Sequence, residues 1–208
     1  MIDARRVRLR DFAADDVDEV LKIVGDERVT QWLSFAVKDR AGAESMVLAA
    51  ISSAAARPRT EYYLAVLDRR TDRLIGFIRL ALNGTRAAKL GYALRADAWG
   101  QGFATEAARA IIDFGFQALA LHRISAAVGP ENEASRAVLR RLGFIEEGRL
   151  RDHVHTNGAW RDSLLSSLLV SDWRHGNGSP SGDRPRLPTQ NTVSERDYPP
   201  PNRPKTSP

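Results

Sequence analysis

The stretch WGQGFATEA, residues 99–107, places two glycines directly before a segment of helical periodicity. The first N–H groups of a helix have no intrahelical partner, and the helix dipole adds roughly half a positive charge there. Glycine lets an anion approach closely because it has no Cβ. The stretch therefore predicts a phosphate or diphosphate site, unless the two glycines only form a tight turn. The amides expected to point at the anion are those of Gln101, Gly102, Phe103, Ala104 and Thr105.

Two nucleotide-binding motifs are excluded at this loop by spacing. A P-loop requires Lys and then Ser or Thr after its last glycine, whereas Phe103 and Ala104 follow Gly102. A dinucleotide fingerprint requires a small third residue where Thr105 stands, and an acidic residue at the end of the next strand. The strand-like segment 123–128 has no such acid. Neither motif explains the glycines.

The composition narrows the classes of chemistry. The chain of 208 residues is 43% hydrophobic, enough for one globular domain with a buried core. It has no cysteine, which excludes disulfides, thiolate zinc sites and cysteine nucleophiles. No metal site is predicted. No apolar run approaches the roughly 20 residues of a membrane span, and the start lacks a signal peptide, so we expect a cytoplasmic protein without a membrane partner.

A change in composition divides the chain near residue 173. Residues 174–208 contain eight of the ten prolines and few apolar residues, which predicts a disordered tail. This segment also carries +3 of the net charge of +5. Its basic residues are not clustered with aromatic residues, so nucleic acid is not an expected partner. Residues 1–173 are therefore the predicted folded domain.

The folded part alternates strand-like and helix-like segments. Strand patterns cover 7–12, 62–68, 74–82, 89–95, 123–128 and 164–170. Helical patterns follow Asp15 and Asp16, follow Asp39 as an expected N-cap, and cover 104–120 and 133–142. This order predicts a mixed α/β fold with helices on the faces of a sheet.

Three segments together resemble the GNAT acetyltransferase superfamily. They are GYALRADAWGQGFATEA (91–107), NEASRAVLRRLGF (132–144) and EEGRLRDHV with NGAWRD (146–162). The similarity is strongest to the branch of ribosomal-protein N-terminal alanine acetyltransferases, and it spans residues 7 to about 173. It implies a central, mostly antiparallel sheet that splays between its middle strands, with acetyl-coenzyme A (acetyl-CoA) as cosubstrate.

The resemblance also assigns cofactor-binding residues. The diphosphate motif falls on Gly102 and Ala104, with Trp99 in place of the usual polar first residue. The strand before it is expected to carry a bulge that frees the amides of Ala93 and Leu94 for the pantetheine arm. Asn132 is expected to cap the next helix and to contact coenzyme A. On that helix Arg136, one turn from Arg140, is the choice for the 3′-phosphate, and Arg141 is expected to face elsewhere.

Catalysis is harder to assign from the sequence. Many relatives place a Tyr acid where this chain has Leu139, and the resemblance moves that role to Ser135, which is otherwise a small first-turn residue. No general base is fixed; Glu61, Glu106, His153 and His155 are candidates. The acceptor site is expected in the segment between the first two helices, residues 28–37, with the 151–160 hairpin opposite. Its expected wall residues, which could equally be core residues, are Trp32, Phe35, Tyr92 and Trp160.

These observations predict an N-acetyltransferase that moves acetyl from acetyl-CoA to a primary amine by direct attack. Deprotonating an α-amine at pH 7 costs about 1 kcal/mol, against about 4.6 kcal/mol for a lysine side chain. A protein N-terminus or a small amine is therefore the expected acceptor. A non-catalytic acyl-CoA sensor or adaptor is the alternative. A homodimer is expected only by analogy with the fold.

Overall fold

An eight-stranded sheet forms the centre of the protein. The structure is a computed structural model that describes residues 1–176, with side chains to Trp173. The strand order is β1-β2-β3-β4-β5-β6-β8-β7, and every neighbouring pair is antiparallel except β5 and β6. The strands are β1 (Ile2–Asp3), β2 (Val7–Asp11), β3 (Glu61–Asp68), β4 (Arg73–Leu82), β5 (Ala87–Leu94), β6 (Arg123–Val128), β7 (Ile145–Thr156) and β8 (Ala159–Leu169).

Helices cover both faces of this sheet, as predicted. Along β3, alternate residues enter two different core clusters: Leu64 and Val66 pack with α4, whereas Ala65 and Leu67 pack with α1 and α3. This period of two is what a strand buried on both faces requires. The helices are α1 (Val17–Val24), α2 (Glu27–Thr30), α3 (Arg40–Ala55), α4 (Phe103–Gln117), α5 (Glu133–Arg141) and α6 (Val170–Gly176).

The sheet opens between β5 and β6. Only three residue pairs join these parallel strands, from Ala87↔Arg123 to Lys89↔Ser125. Beyond them β5 continues beside β4 to Leu94, while β6 continues beside β8 to Val128. The two strands therefore diverge, and the predicted splay between the middle strands is confirmed.

Most predicted elements are confirmed within a few residues. Strands 62–68 and 74–82 form the predicted hairpin, and β6 matches its predicted bounds. Asp39 caps α3 by accepting a hydrogen bond from the Gly42 N–H at 2.9 Å. No helix in the described part of the chain is long and apolar enough to cross a membrane.

Three expectations about the elements need correction. The last strand begins at Ala159 and pairs with the long strand β7, so the C-terminal hairpin is larger than the apolar pattern indicated. Val170 starts a helix that runs to Gly176, past the predicted domain boundary. The expected bulge in β5 is absent, because its register with β4 is uninterrupted. The rest of the predicted tail lies outside the described residues.

Candidate active site

A cavity of about 1100 Å³ fills the opening in the sheet. The diverging ends of β5 and β6 line it on two sides, and the loop before α4 and one face of α5 line it further out. Its other end is lined by residues of the α2–α3 connection and of the β7–β8 hairpin. One cavity therefore joins the predicted cofactor elements to the predicted acceptor elements.

The loop before α4 has the geometry that the glycines predicted. Gly100 and Gly102 have φ values of +72° and +80°, a region that favours glycine. Gly102 is the N-cap of α4 and offers no side chain to the first helical amides. These amides keep their unpaired N–H groups at the cavity. All five residues predicted to contact the anion line the cavity, from Gln101 to Thr105.

An arginine from the start of the chain lies over this loop. The Nε of Arg6 donates to a carboxylate oxygen of Glu106 at 2.8 Å, and its backbone N–H donates to the other oxygen. Its Nη1 donates to the carbonyl of Gln101 at 2.9 Å, and the guanidinium lies 5.1 Å from the ring centroid of Phe103. Arg6 and Glu106 both line the cavity. The sequence predictions missed Arg6 because 95 residues separate it from the loop.

The opening leaves one edge of β5 available. Arg95 N–H donates to Ile75 and Ala87 accepts from Asn83, so odd-numbered residues of β5 face β4 in the alternating antiparallel ladder. The amide of Ala93 is therefore engaged with β4, contrary to the prediction. The backbone groups of Tyr92 and Leu94 face the opening instead.

Trp99 holds the loop against that strand. Its indole N–H donates to the carbonyl of Leu94 at 2.9 Å, although the residue is 44% exposed. The aromatic residue that replaces the polar first position of the motif therefore links the anion loop to the open edge of β5. Leu94, with its carbonyl fixed in this way, keeps its amide on the cavity side.

The start of α5 presents the predicted acid to the cavity. The side chain of Asn132 accepts from the Ser135 N–H at 3.0 Å, which confirms the predicted N-cap. Asn132 and Ser135 both line the cavity. The hydroxyl of Tyr92 donates to the Ser135 carbonyl at 3.4 Å, and burial raises its pKa. Leu139 is a core residue, 2% exposed.

The arginine chosen on α5 lies on the side of the helix away from the cavity. Cavity-lining positions on this helix include Ala134, Ala137, Val138 and Arg141, at the spacing of one helical face. Arg136 is two residues from Ala134, about 200° around the helix. It is outside the cavity lining and donates to the Pro130 carbonyl at 3.2 Å. Helical periodicity starting from Ser135 and Val138 could have identified Arg141.

Two of the four residues expected to wall the acceptor site lie at the cavity. Trp32, 40% exposed, and Tyr92 line the cavity. Phe35 is outside the lining. It packs against the core formed by α1 and α3, so it follows the alternative prediction of a core residue. Trp160 is also outside the lining, 61% exposed, and contacts His155. Its neighbour Arg161 lines the cavity.

Further residues at the acceptor end were missed. Arg161 donates to the carbonyls of Gln31 and Leu33 and so ties the α2–α3 connection to β8. Asp162 also lines the cavity; the amide of Asp152 and the guanidinium of Arg149 hold its pKa below the usual range. Ser34 and Ser163 are two more lining residues. These residues are far apart in the chain, and no short motif marks them.

The four candidate bases have different surroundings. Glu61 pairs with Arg79 and is outside the cavity lining. Glu106 is engaged by Arg6. The Nδ1 of His153 lies 3.0 Å from the Ser163 hydroxyl, which lines the cavity. His155 contacts Trp160 instead. In residues 1–173, no group of three or more His, Asp or Glu side chains is arranged to hold a metal ion.

Comparisons with known proteins agree with this architecture. The model of the acetyltransferase (GNAT) domain matches residues 6–145. The protein named uncharacterized N-acetyltransferase p20 of Bacillus licheniformis is 31% identical over 172 residues, 81% of this chain and 95% of that protein. The [ribosomal protein uS5]-alanine N-acetyltransferase of Escherichia coli is 33% identical over 118 residues, 55% of this chain and 61% of that protein.

A solved structure gives the same result. Mycobacterium smegmatis RimJ in complex with CoA-disulfide superposes with a TM-score of 0.73 at 30% identity, covering 82% of this chain and 87% of that chain. The predicted resemblance to the ribosomal-protein branch is thereby confirmed. The chain belongs to the GNAT acetyltransferase family and is an acyltransferase.

Proposed function

We propose that the protein transfers the acetyl group of acetyl-CoA to the α-amine of a peptide or to a small primary amine. The convergence of an uncapped helix N-terminus and an open strand edge in one cavity carries this proposal. The first feature suits a diphosphate, because the amides of Gly102 to Thr105 attract an anion. The second suits the pantetheine arm, whose amides can bond to the backbone edge of β5.

This geometry supports an assignment of the residues that hold acetyl-CoA. The diphosphate binds the amides of the loop before α4, and the pantetheine arm extends along Tyr92 and Leu94 between the diverging strands. The Leu94 amide then donates to the thioester carbonyl, a contact of a kind worth about 3 kcal/mol in the transition state. Asn132 supports the arm from α5. Arg141, which lies on the cavity side of α5 whereas Arg136 does not, is the proposed partner of the 3′-phosphate.

The reaction is a direct attack. The nitrogen of the neutral amine forms a bond with the thioester carbonyl carbon, and the carbon–sulfur bond breaks. The departing thiolate takes a proton from the Ser135 hydroxyl, which regains one from solvent water, or directly from a water held by Ser135. The amine releases one proton. The proposed path for it runs from Ser163, at the cavity, to the exposed imidazole ring of His153. A chain without cysteine cannot carry the acetyl group as a thioester.

The acceptor end favours a single ammonium group over a polycation. Its lining includes one basic residue, Arg161, and one acidic residue, Asp162, whose carboxylate is already bonded to Arg149. A polyamine would need several unpaired carboxylates, whereas a peptide α-amine needs only one acceptor and neutralises at low cost near pH 7. The E. coli relative named for the alanine of ribosomal protein uS5 supports the same choice.

Acetylation of a panel of acceptors tests this proposal. Peptides with free N-termini, the same peptides with blocked N-termini and an internal lysine, and spermidine are incubated with acetyl-CoA, and thiol release is followed. We expect turnover with the free N-termini. Thiol release with none of the acceptors, by a protein that binds acetyl-CoA, would favour the non-catalytic alternative. Turnover with spermidine alone would contradict the choice of acceptor.

The role of Ser135 is tested in the same assay. Ser135→Ala is expected to lower kcat about 100-fold, the lower end for a lost general acid, with little change in the dissociation constant of CoA. Ser52→Ala, on the exposed side of α3, is the matched control and should leave kcat unchanged. An unchanged kcat in Ser135→Ala would assign the leaving-group proton to water alone.

A further inference from the structure

Arg6 is held with part of its guanidinium unused. Nε donates to Glu106 and Nη1 to the Gln101 carbonyl, and these contacts fix the plane of the group over the loop. Nη2 makes no hydrogen bond with any described residue. It lies 3.2 Å from the point where a Cβ on Gly102 would be. Two N–H donors of a fixed cation therefore lie beside the N-cap of α4.

The charges around the loop also require an explanation. Glu106 lies in the first turn of α4, and its side chain is 17% exposed. A carboxylate there opposes a diphosphate at the same helix end, since like charges repel in a partly buried site. Arg6 neutralises this carboxylate through the Nε side of its planar guanidinium. An arginine can hold one anion with Nε and a second with Nη2 because its five donors point in different directions.

We infer that Arg6 binds the diphosphate of CoA through Nη2, while its pair with Glu106 keeps the guanidinium over the loop. This inference rests on the proposed function, because it needs CoA in the cavity. The segment between β1 and β2 thereby contributes a contact with the ligand, in addition to the backbone amides of the loop before α4. The loop supplies oriented N–H groups, and Arg6 supplies a full positive charge.

Calorimetric titration of the full chain with CoA, 3′-dephospho-CoA and S-acetylpantetheine tests the inference. Arg6→Gln is expected to raise the dissociation constant of CoA and of 3′-dephospho-CoA about tenfold, the lower end for a charge-assisted hydrogen bond. Binding of S-acetylpantetheine, which has no phosphate, should not change. Raising the ionic strength should reduce the difference between wild type and variant, because salt screens an exposed charge. Arg5→Gln, an exposed neighbour outside the cavity lining, is the matched control.

Three results would overturn the inference, each with a separate meaning. Equal weakening of all three ligands would show that Arg6 only shapes the loop. A loss seen with CoA but not with 3′-dephospho-CoA would move the contact to the 3′-phosphate. Unchanged binding in Arg6→Gln would remove Arg6 from the site. Failure of the wild-type protein to bind any of the ligands would instead refute the proposed function on which the inference depends.

Discussion

Replacing Gly102 by alanine separates backbone strain from ligand binding. The φ of +80° places an alanine in the left-handed region, which costs about 1 kcal/mol or slightly more. The added methyl would lie 3.2 Å from Nη2 of Arg6, so the flexible guanidinium must move by a few tenths of an ångström. The methyl would also project toward the proposed diphosphate. We expect a loss of about 1 kcal/mol in unfolding free energy and about tenfold weaker binding of CoA, equivalent to about 1.4 kcal/mol.

Gly100→Ala is the matched control for this variant. Gly100 has a φ of +72°, and a Cβ there would meet nothing within 4 Å. The control should lose the same unfolding free energy in urea denaturation and keep the wild-type affinity for CoA in calorimetry. If both variants lose affinity equally, the effect comes from loop strain, and the proposed diphosphate position beside Gly102 is refuted. If neither loses stability, the strain estimate is wrong.

Two further predictions concern ion pairs outside the cavity. The buried carboxylate of Asp16 accepts two 2.7 Å hydrogen bonds from Arg10. Asp16→Asn removes the negative charge of this pair and should lower the unfolding free energy by about 3 kcal/mol in urea denaturation. A loss below about 1 kcal/mol would contradict this. Arg123 and then Ser167 lower the pKa of Glu147 from 4.5 to about 2. Its stabilisation, about 1 kcal/mol after solvent screening, is therefore complete above pH 4.5 and lost as the pH falls toward 2. Glu147→Gln should differ from wild type at pH 7 and converge with it near pH 2, as followed by denaturation at each pH.

Local patterns predicted most of the fold. The hairpin of β3 and β4, the N-cap Asp39 and the strand–turn–helix at Gly102 all depend on residues within a few positions of one another. Such signals can be read from one chain because they reflect backbone geometry and periodicity. The loop amides and the Asn132 cap were predicted for the same reason.

The differences between prediction and structure arose where the direction of a side chain or amide in three dimensions decides. Arg136 was chosen by residue type, but the helix face that meets the cavity passes through Arg141. Ala93 was assigned a free amide, whereas the alternation of the antiparallel ladder gives the available edge to Leu94. Arg6 and Arg161 reach the cavity only because the sheet brings distant segments together. No local pattern carries that information.

The opening between β5 and β6 gives the protein two strand edges inside its own sheet. An unpaired edge at the rim of a sheet invites another chain, whereas these edges face each other across a cavity. Three residue pairs at Ala87–Lys89 join the two halves of the sheet, beside the Arg86 carbonyl, which accepts from the N–H groups of His122 and Arg123. A bound molecule that bonds to both edges would act as a missing strand, so hydrogen exchange at the amides of Tyr92 and Leu94 should slow when the cavity is filled. A bound substrate would then make the connection between the two halves of the sheet stiffer.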